Sequence, residues 1–175
     1  MVGFELLGTL AFGAMTAGVL LIAFRLAGRR APLALLLAGA GLAMLSFAIW
    51  TRYAWAPRVV GALPASVVVI ERTRAATAWE PWTLLVPRTE GLALVDRRTV
   101  RRHQDHPALR WASVLFVERA TPDPVIADRL IDCAGHRWTA ITPQTAFDDT
   151  GLPLAPEWVA GGTPAALFSA VCDSP

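Results

Sequence analysis

"RLAGRRAP", Arg25–Pro32, is the only break between two long uncharged apolar runs, and its reading decides the fold. Before it stands "LLGTLAFGAMTAGVLLIAF", Leu6–Phe24. After it, overlapping at the proline, comes "PLALLLAGAGLAMLSFAIW", Pro32–Trp50. Each run is close to the ~20 residues a helix needs to cross a ~30 Å hydrocarbon core. Pro32 suits the first turn of a helix, where a missing N–H breaks no bond. We therefore expect a transmembrane hairpin over residues 1–55, with helices at about 6–24 and 32–50. A cleavable signal peptide competes for the first run. It fits poorly, because "MVGFE" carries an acid where a basic n-region belongs and a second apolar run follows at once. A buried helical pair in a soluble protein is the other competitor.

The break also carries the orientation. Arg25, Arg29 and Arg30 lie in it, none precedes the first run, and Arg52 and Arg58 follow the second. Arginine near span ends is retained on the cytoplasmic side. The expectation is a short cytoplasmic loop, with the N-terminus and all that follows the second span in the periplasm of a bacterial inner membrane. Trp50, Tyr53 and Trp55 suit an aromatic belt at the membrane interface. Small residues at four-residue spacing (Thr9, Gly13 and Ala17; Gly39 and Ala43) permit close helix approach. They serve either mutual packing of the two helices or docking onto a larger membrane complex.

Composition agrees with this division. The chain is 54% hydrophobic with mean hydropathy +0.45, too apolar for an ordinary soluble protein of 175 residues. Every one of its 16 basic residues is arginine, and asparagine is absent, so there is no N-glycosylation site. Up to Arg58 the chain is net basic; from Val59 onward acids outnumber arginines. The basic balance is therefore a property of the membrane flanks, and nucleic acid is not an expected partner.

After a Pro/Gly linker, "APRVVGALPAS" (residues 56–66), the periodicity becomes that of strands. "SVVVIERT", "WTLLVP" (Trp82–Pro87), "GLALVD" (Gly91–Asp96) after a turn at "RTE", "ALRWASVLFVE" (Ala108–Glu118), and "VIADRLIDC" and "HRWTAIT" about "AG" all read as strands. "GTPAALFSAVC" reads as a closing helix, with Thr163 as N-cap and Pro164 at the first helical position. Residues 67–175 are thus expected to form an α+β domain, a small antiparallel sheet with a C-terminal helix. The only cysteines, Cys133 and Cys172, each end a regular element in the part placed outside. A disulfide there would pin the helix to the sheet, and such bonds persist in the periplasm. The alternative is two unrelated buried thiols.

The order of features over about residues 82–172 resembles the surface-adhesin protein E family of small bacterial domains. The matching stretches are "WTLLV", "ALVDRRTVRR", "LRWASVLF", "IDCAGHRWTAI", "FDDTG", Trp158, a Gly-Thr-Pro turn and the terminal "VC". The resemblance implies a β-sheet with a packed helix, and a structural disulfide at the positions of Cys133 and Cys172. Adhesion to host proteins, the property that names the family, belongs to members displayed on the outer surface. Two spans, and no lipoprotein-type cysteine after the first apolar run, leave only the fold to carry over.

Chemistry is sparse. "DDTG" (Asp148–Gly151) contains an Asp-Thr-Gly string, but aspartic protease chemistry needs two such carboxylates and this copy, with Asp149, reads as a turn. "HQDH" (His103, Asp105, His106) and the distant His136 make a poor zinc set. No cofactor is expected. The densest charge cluster, "RRTVRRH" (Arg97–His103), reads as a strand at a sheet edge, either solvated or in contact with lipid headgroups or an acidic partner. Trp79 and Trp82, flanking Glu80–Pro81, are expected to be partly exposed interface anchors. Candidate partner contacts are therefore Trp79, Trp82, Arg97, Arg98, Arg101 and Arg102. The expected function is a non-catalytic accessory or scaffolding subunit of an inner-membrane complex, with membrane lipid and other subunits as partners and no small-molecule substrate. The rival is a tethered periplasmic binding module.

Overall fold

The computed structural model describes residues 2–121, 123–162 and 164–173. The chain divides into two compact units, residues 1–57 and 58–175. The first is a helical hairpin. Helix α1 is Val2–Leu26, and Gly28, with φ of 68°, begins the reversal. Helix α2 is Leu33–Ala62. Both are long and apolar enough to cross a bilayer. Leucines project on all sides of both helices: Leu6, Leu7, Leu10, Leu35, Leu37 and Leu42 are each more than half exposed. A core helix of a soluble protein would bury such residues, so the exposure of these leucines is in keeping with helices that could cross a membrane. The two helices touch through their small residues. A Cβ on Gly13 would lie 2.6 Å from Met44 Cγ, and one on Gly39 2.6 Å from Leu20 Cδ1. Phe12 stacks on Phe47 at 5.1 Å. Mutual packing thus accounts for Gly13 and Gly39.

The hairpin differs from the sequence expectation at its end. Helix α2 continues through Pro57 to Ala62, so the linker shrinks from residues 56–66 to Leu63–Ser66. An internal proline removes one i→i−4 bond and crowds the preceding turn, and α2 continues through it for five more residues.

The second unit is a six-stranded antiparallel sheet with a helix on one face. Its strands are β1 (Val67–Ala75), β2 (Arg88–Asp96), β3 (Arg101–Arg102), β4 (Leu109–Glu118), β5 (Val125–Asp132) and β6 (Arg137–Ile141). They run β1-β2-β4-β5-β6, with β3 paired to β4 beyond the end of β2. Strand β2 is the most enclosed: Gly91–Val95 are all buried, the near-continuous apolar run of a strand covered on both faces. The closing helix α4 (Ala165–Cys172) lays Leu167, Ala170 and Val171, each fully buried, on Ile70, Ala93, Val95, Ala112, Val114 and Ile131. Eight residues are too few for a stable isolated helix, so this packing is what forms it.

Three local expectations are corrected. "WTLLVP" is not a strand: Trp82–Leu85 is a one-turn helix, α3, following Pro81. The hydroxyl of the fully buried Thr83 donates to Glu80 O at 2.7 Å and accepts from Thr77 N at 2.9 Å, folding the segment back on itself. "RTE" is not a turn: it opens β2, with Arg88 opposite Ala75 and Thr89 opposite Arg74. Pro164 is extended (ψ of 127°) and precedes α4 instead of starting it, while Thr163 lies outside the described residues.

Candidate functional site

The cysteines come together. Cys133 follows β5, Cys172 ends α4, and their Cα atoms are 5.7 Å apart in a disulfide. Two buried side chains reinforce the same end of the sheet. Asp132 lies at the end of β5, where its Oδ1 accepts from Ala134 N (3.1 Å) and Gly135 N (2.9 Å) and its Oδ2 from Arg137 Nε (2.8 Å). Burial pushes its carboxyl up, but the Gly135 N–H, Arg137 and the Ala134 N–H outweigh that and hold it below its ordinary value. The wrapped carboxylate explains the glycine: a Cβ on Gly135 would stand 2.5 Å from Asp132 Oδ2. The left-handed residue of the turn is not that glycine but His136, with φ of 48°, whose ring lies 5.2 Å from Phe168 of α4.

Arg110, on β4, is buried on the α4 side of the sheet. Its Nη1 donates to Val171 O at 3.1 Å, a carbonyl of the last turn of α4. A cation there satisfies an orphan carbonyl and meets the negative end of the helix dipole. Burial lowers its pKa, nearby Arg102 adds to this, and Asp173 opposes it. Sequence reasoning missed both Arg110 and Asp132.

The arginine cluster is not a continuous strand. Asp96 Oδ1 accepts from Arg98 N at 3.0 Å, and Arg97–Thr99 form a single 3-10 turn. That backbone N–H is the main reason the Asp96 carboxyl is held below its ordinary value. Only Arg101 and Arg102 are strand, opposite Trp111 and Arg110. All four arginines are exposed. Arg101 lies at the edge of an open cleft of about 700 Å³, on the sheet face opposite α4. Trp111, Ser113, Asp128 and Leu130 form its floor, with His103 and Thr150 beside them. Ser113 Oγ donates to Asp128 Oδ1 at 2.5 Å.

The tryptophan pair sits elsewhere. Trp79 is 94% exposed, and Leu84, Leu85 and Val86 beside it are each more than half exposed, whereas Trp82 is half-buried. Glu80 is neutralised by an ion pair with Arg88. This apolar tip adjoins the Arg88 end of β2, while Arg97 follows its Asp96 end. Nine strand residues place the two features roughly 25–30 Å apart. The six candidate contacts are therefore two surfaces at opposite ends of the sheet. The tip end also exposes Val125 and Ile126, where β5 begins.

The remaining candidates resolve locally. Asp148, not Asp149, is the engaged carboxylate of "DDTG". Its Oδ1 accepts from Thr150 N, Thr150 Oγ1 and Leu152 N at 2.7–2.9 Å, closing a turn. Thr150 chiefly, through its hydroxyl, holds that carboxyl below its ordinary value. His103 and His106 have ring centroids 5.3 Å apart. Among the described residues no three His, Cys, Asp or Glu side chains converge as a metal set. Trp50, Tyr53 and Trp55 all lie within α2, within one turn of residue 52, where a 20-residue span counted from Leu33 ends. Arg25 ends α1, while Arg29 and Arg30 lie in the exposed loop between the helices. Comparison with protein-family models, curated proteins and solved structures returned no match.

Proposed function

We propose that this chain is a non-catalytic accessory or scaffolding subunit of a bacterial inner-membrane complex. Its hairpin anchors it with the Arg25–Arg30 loop in the cytoplasm, and its disulfide-clamped sheet stands in the periplasm. The observation that carries the reading is the tip formed by Trp79, Leu84, Leu85 and Val86. It is apolar, centred on an indole, free of net charge, and presented at the end of the sheet away from the chain's entry. Contiguous exposed apolar surface around an aromatic anchor is the signature of a protein contact. The protein E-like architecture is retained as part of this proposal, supported by the sheet, packed helix and cysteine pair. The test is purification in mild detergent. The reading expects a fixed stoichiometric partner that a Trp79→Ala/Leu85→Ala chain loses while remaining folded and in the membrane. A lone chain with either sequence contradicts it. The cleft beside Trp111 favours a second reading, a tethered binding module, for which the double variant would change nothing.

A further inference from the structure

The end of the sheet opposite the apolar tip gathers cations. Arg97 N donates to Ser66 O at 3.0 Å, which fixes the 3-10 turn beside the residue that precedes β1. Only Leu63–Ser66 separate that strand from α2, and four residues span at most about 14 Å. Strand β3 continues the same end, so Arg97, Arg98, Arg101 and Arg102 are all presented where the chain arrives from the membrane-spanning helix. The charge of Arg97, Arg98 and Arg101 is poorly offset. Asp96 is engaged as the cap of the turn, and Arg98 keeps 71% of its side chain exposed in its 3.5 Å contact with that carboxylate. No acid pairs with Arg97 or Arg101 among the described residues. At the opposite end the acids Glu80, Glu90 and Glu118 stand among Arg74, Arg88 and Arg119 beside the apolar tip, so charges of both signs are mixed there.

We infer that the Arg97–Arg102 surface docks on the anionic headgroups of the bilayer that holds the hairpin. A headgroup phosphate is the ligand chemistry that suits it. Guanidinium forks match phosphate geometry, and each arginine close to an anionic leaflet contributes about fivefold in binding. Tethering by four residues makes the encounter intramolecular, so a modest intrinsic attraction suffices. The inference rests on insertion of the hairpin and not on any partner subunit.

The experiment is hydrogen exchange on the full chain in lipid nanodiscs, with co-elution of chain and lipid reporting insertion independently. In discs containing about one-third phosphatidylglycerol, amides over residues 97–103 should exchange several-fold more slowly than in phosphatidylcholine discs. The difference should vanish in high salt and in the Arg97→Gln/Arg98→Gln/Arg101→Gln chain, and should persist in Arg74→Gln, at the tip end. Equal exchange in the two lipids, or slowing that survives the triple substitution, overturns the inference. So does equal slowing by inorganic phosphate in phosphatidylcholine discs, which would mark a small-anion site in place of a lipid surface.

Discussion

Asp132 shows how one carboxylate can set a chain reversal. It is 7% exposed, yet three donors converge on it, and its folded-state pKa lies below the unfolded value. A depressed carboxylate stabilises the fold above its unfolded pKa, near 3.9, and the contribution is lost as pH falls through the folded value. Asp132→Asn should therefore cost about 1–3 kcal/mol at pH 7. It should also flatten the loss of stability between pH 5 and pH 3, read from urea midpoints across that range. Arg110 is the complementary case, a buried cation whose partner is a helix end. Arg110→Met keeps most of the volume but strips the cap from Val171 O. A loss of about 1–3 kcal/mol is expected, with the fastest added hydrogen exchange in α4. Neither role was legible in the sequence. Arg110 is one of 16 arginines, and only the placement of α4 makes it a cap. The "AG" in "IDCAGHR" did announce a reversal, but local sequence could not show that Asp132 fills the space a Cβ on Gly135 would need.

At the scale of elements, long periodic segments read correctly and short ones did not. Strands β4, β5 and β6, and helix α4, fall within a few residues of expectation, because each is an apolar pattern bounded by turn residues. The number of strands agrees, but its membership differs. "WTLLVP" has the composition of a strand, and Pro81 with the hydroxyl of Thr83 turned it into α3. Of the arginine run read as an edge strand, only Arg101–Arg102 pairs, where β4 outruns β2, because the Asp96 cap coils Arg97–Thr99 into a 3-10 turn. The linker was misplaced because Pro57 reads as a stop, whereas α2 absorbs it. The pairing of Cys133 with Cys172 was legible from position alone. Its loss has a definite expected size. The cysteines lie 39 residues apart, and closing such a loop stabilises by on the order of 3–4 kcal/mol through the unfolded chain. Cys133→Ser should lower the denaturant midpoint of the sheet domain accordingly and raise exchange in α4, while the hairpin still inserts.

At the scale of the whole molecule, the features arrange themselves along the strands. One end of the sheet receives the chain from α2, exposes four arginines and carries the disulfide. The other end exposes Trp79, Leu84, Leu85 and Val86. The sequence revealed both surfaces but grouped them, since only the β1–β2 register shows that they lie a strand's length apart. The account as a whole rests on this domain standing on the oxidising side of a membrane, clamped by its two cysteines. One measurement bears on that most directly: intact mass of the full chain, taken from membranes whose free thiols were blocked at lysis with an alkylating reagent. The account predicts no added label without prior reduction and two labels after it. Two labels on the unreduced native chain would remove the clamp and, with it, the placement of the domain outside the cytoplasm.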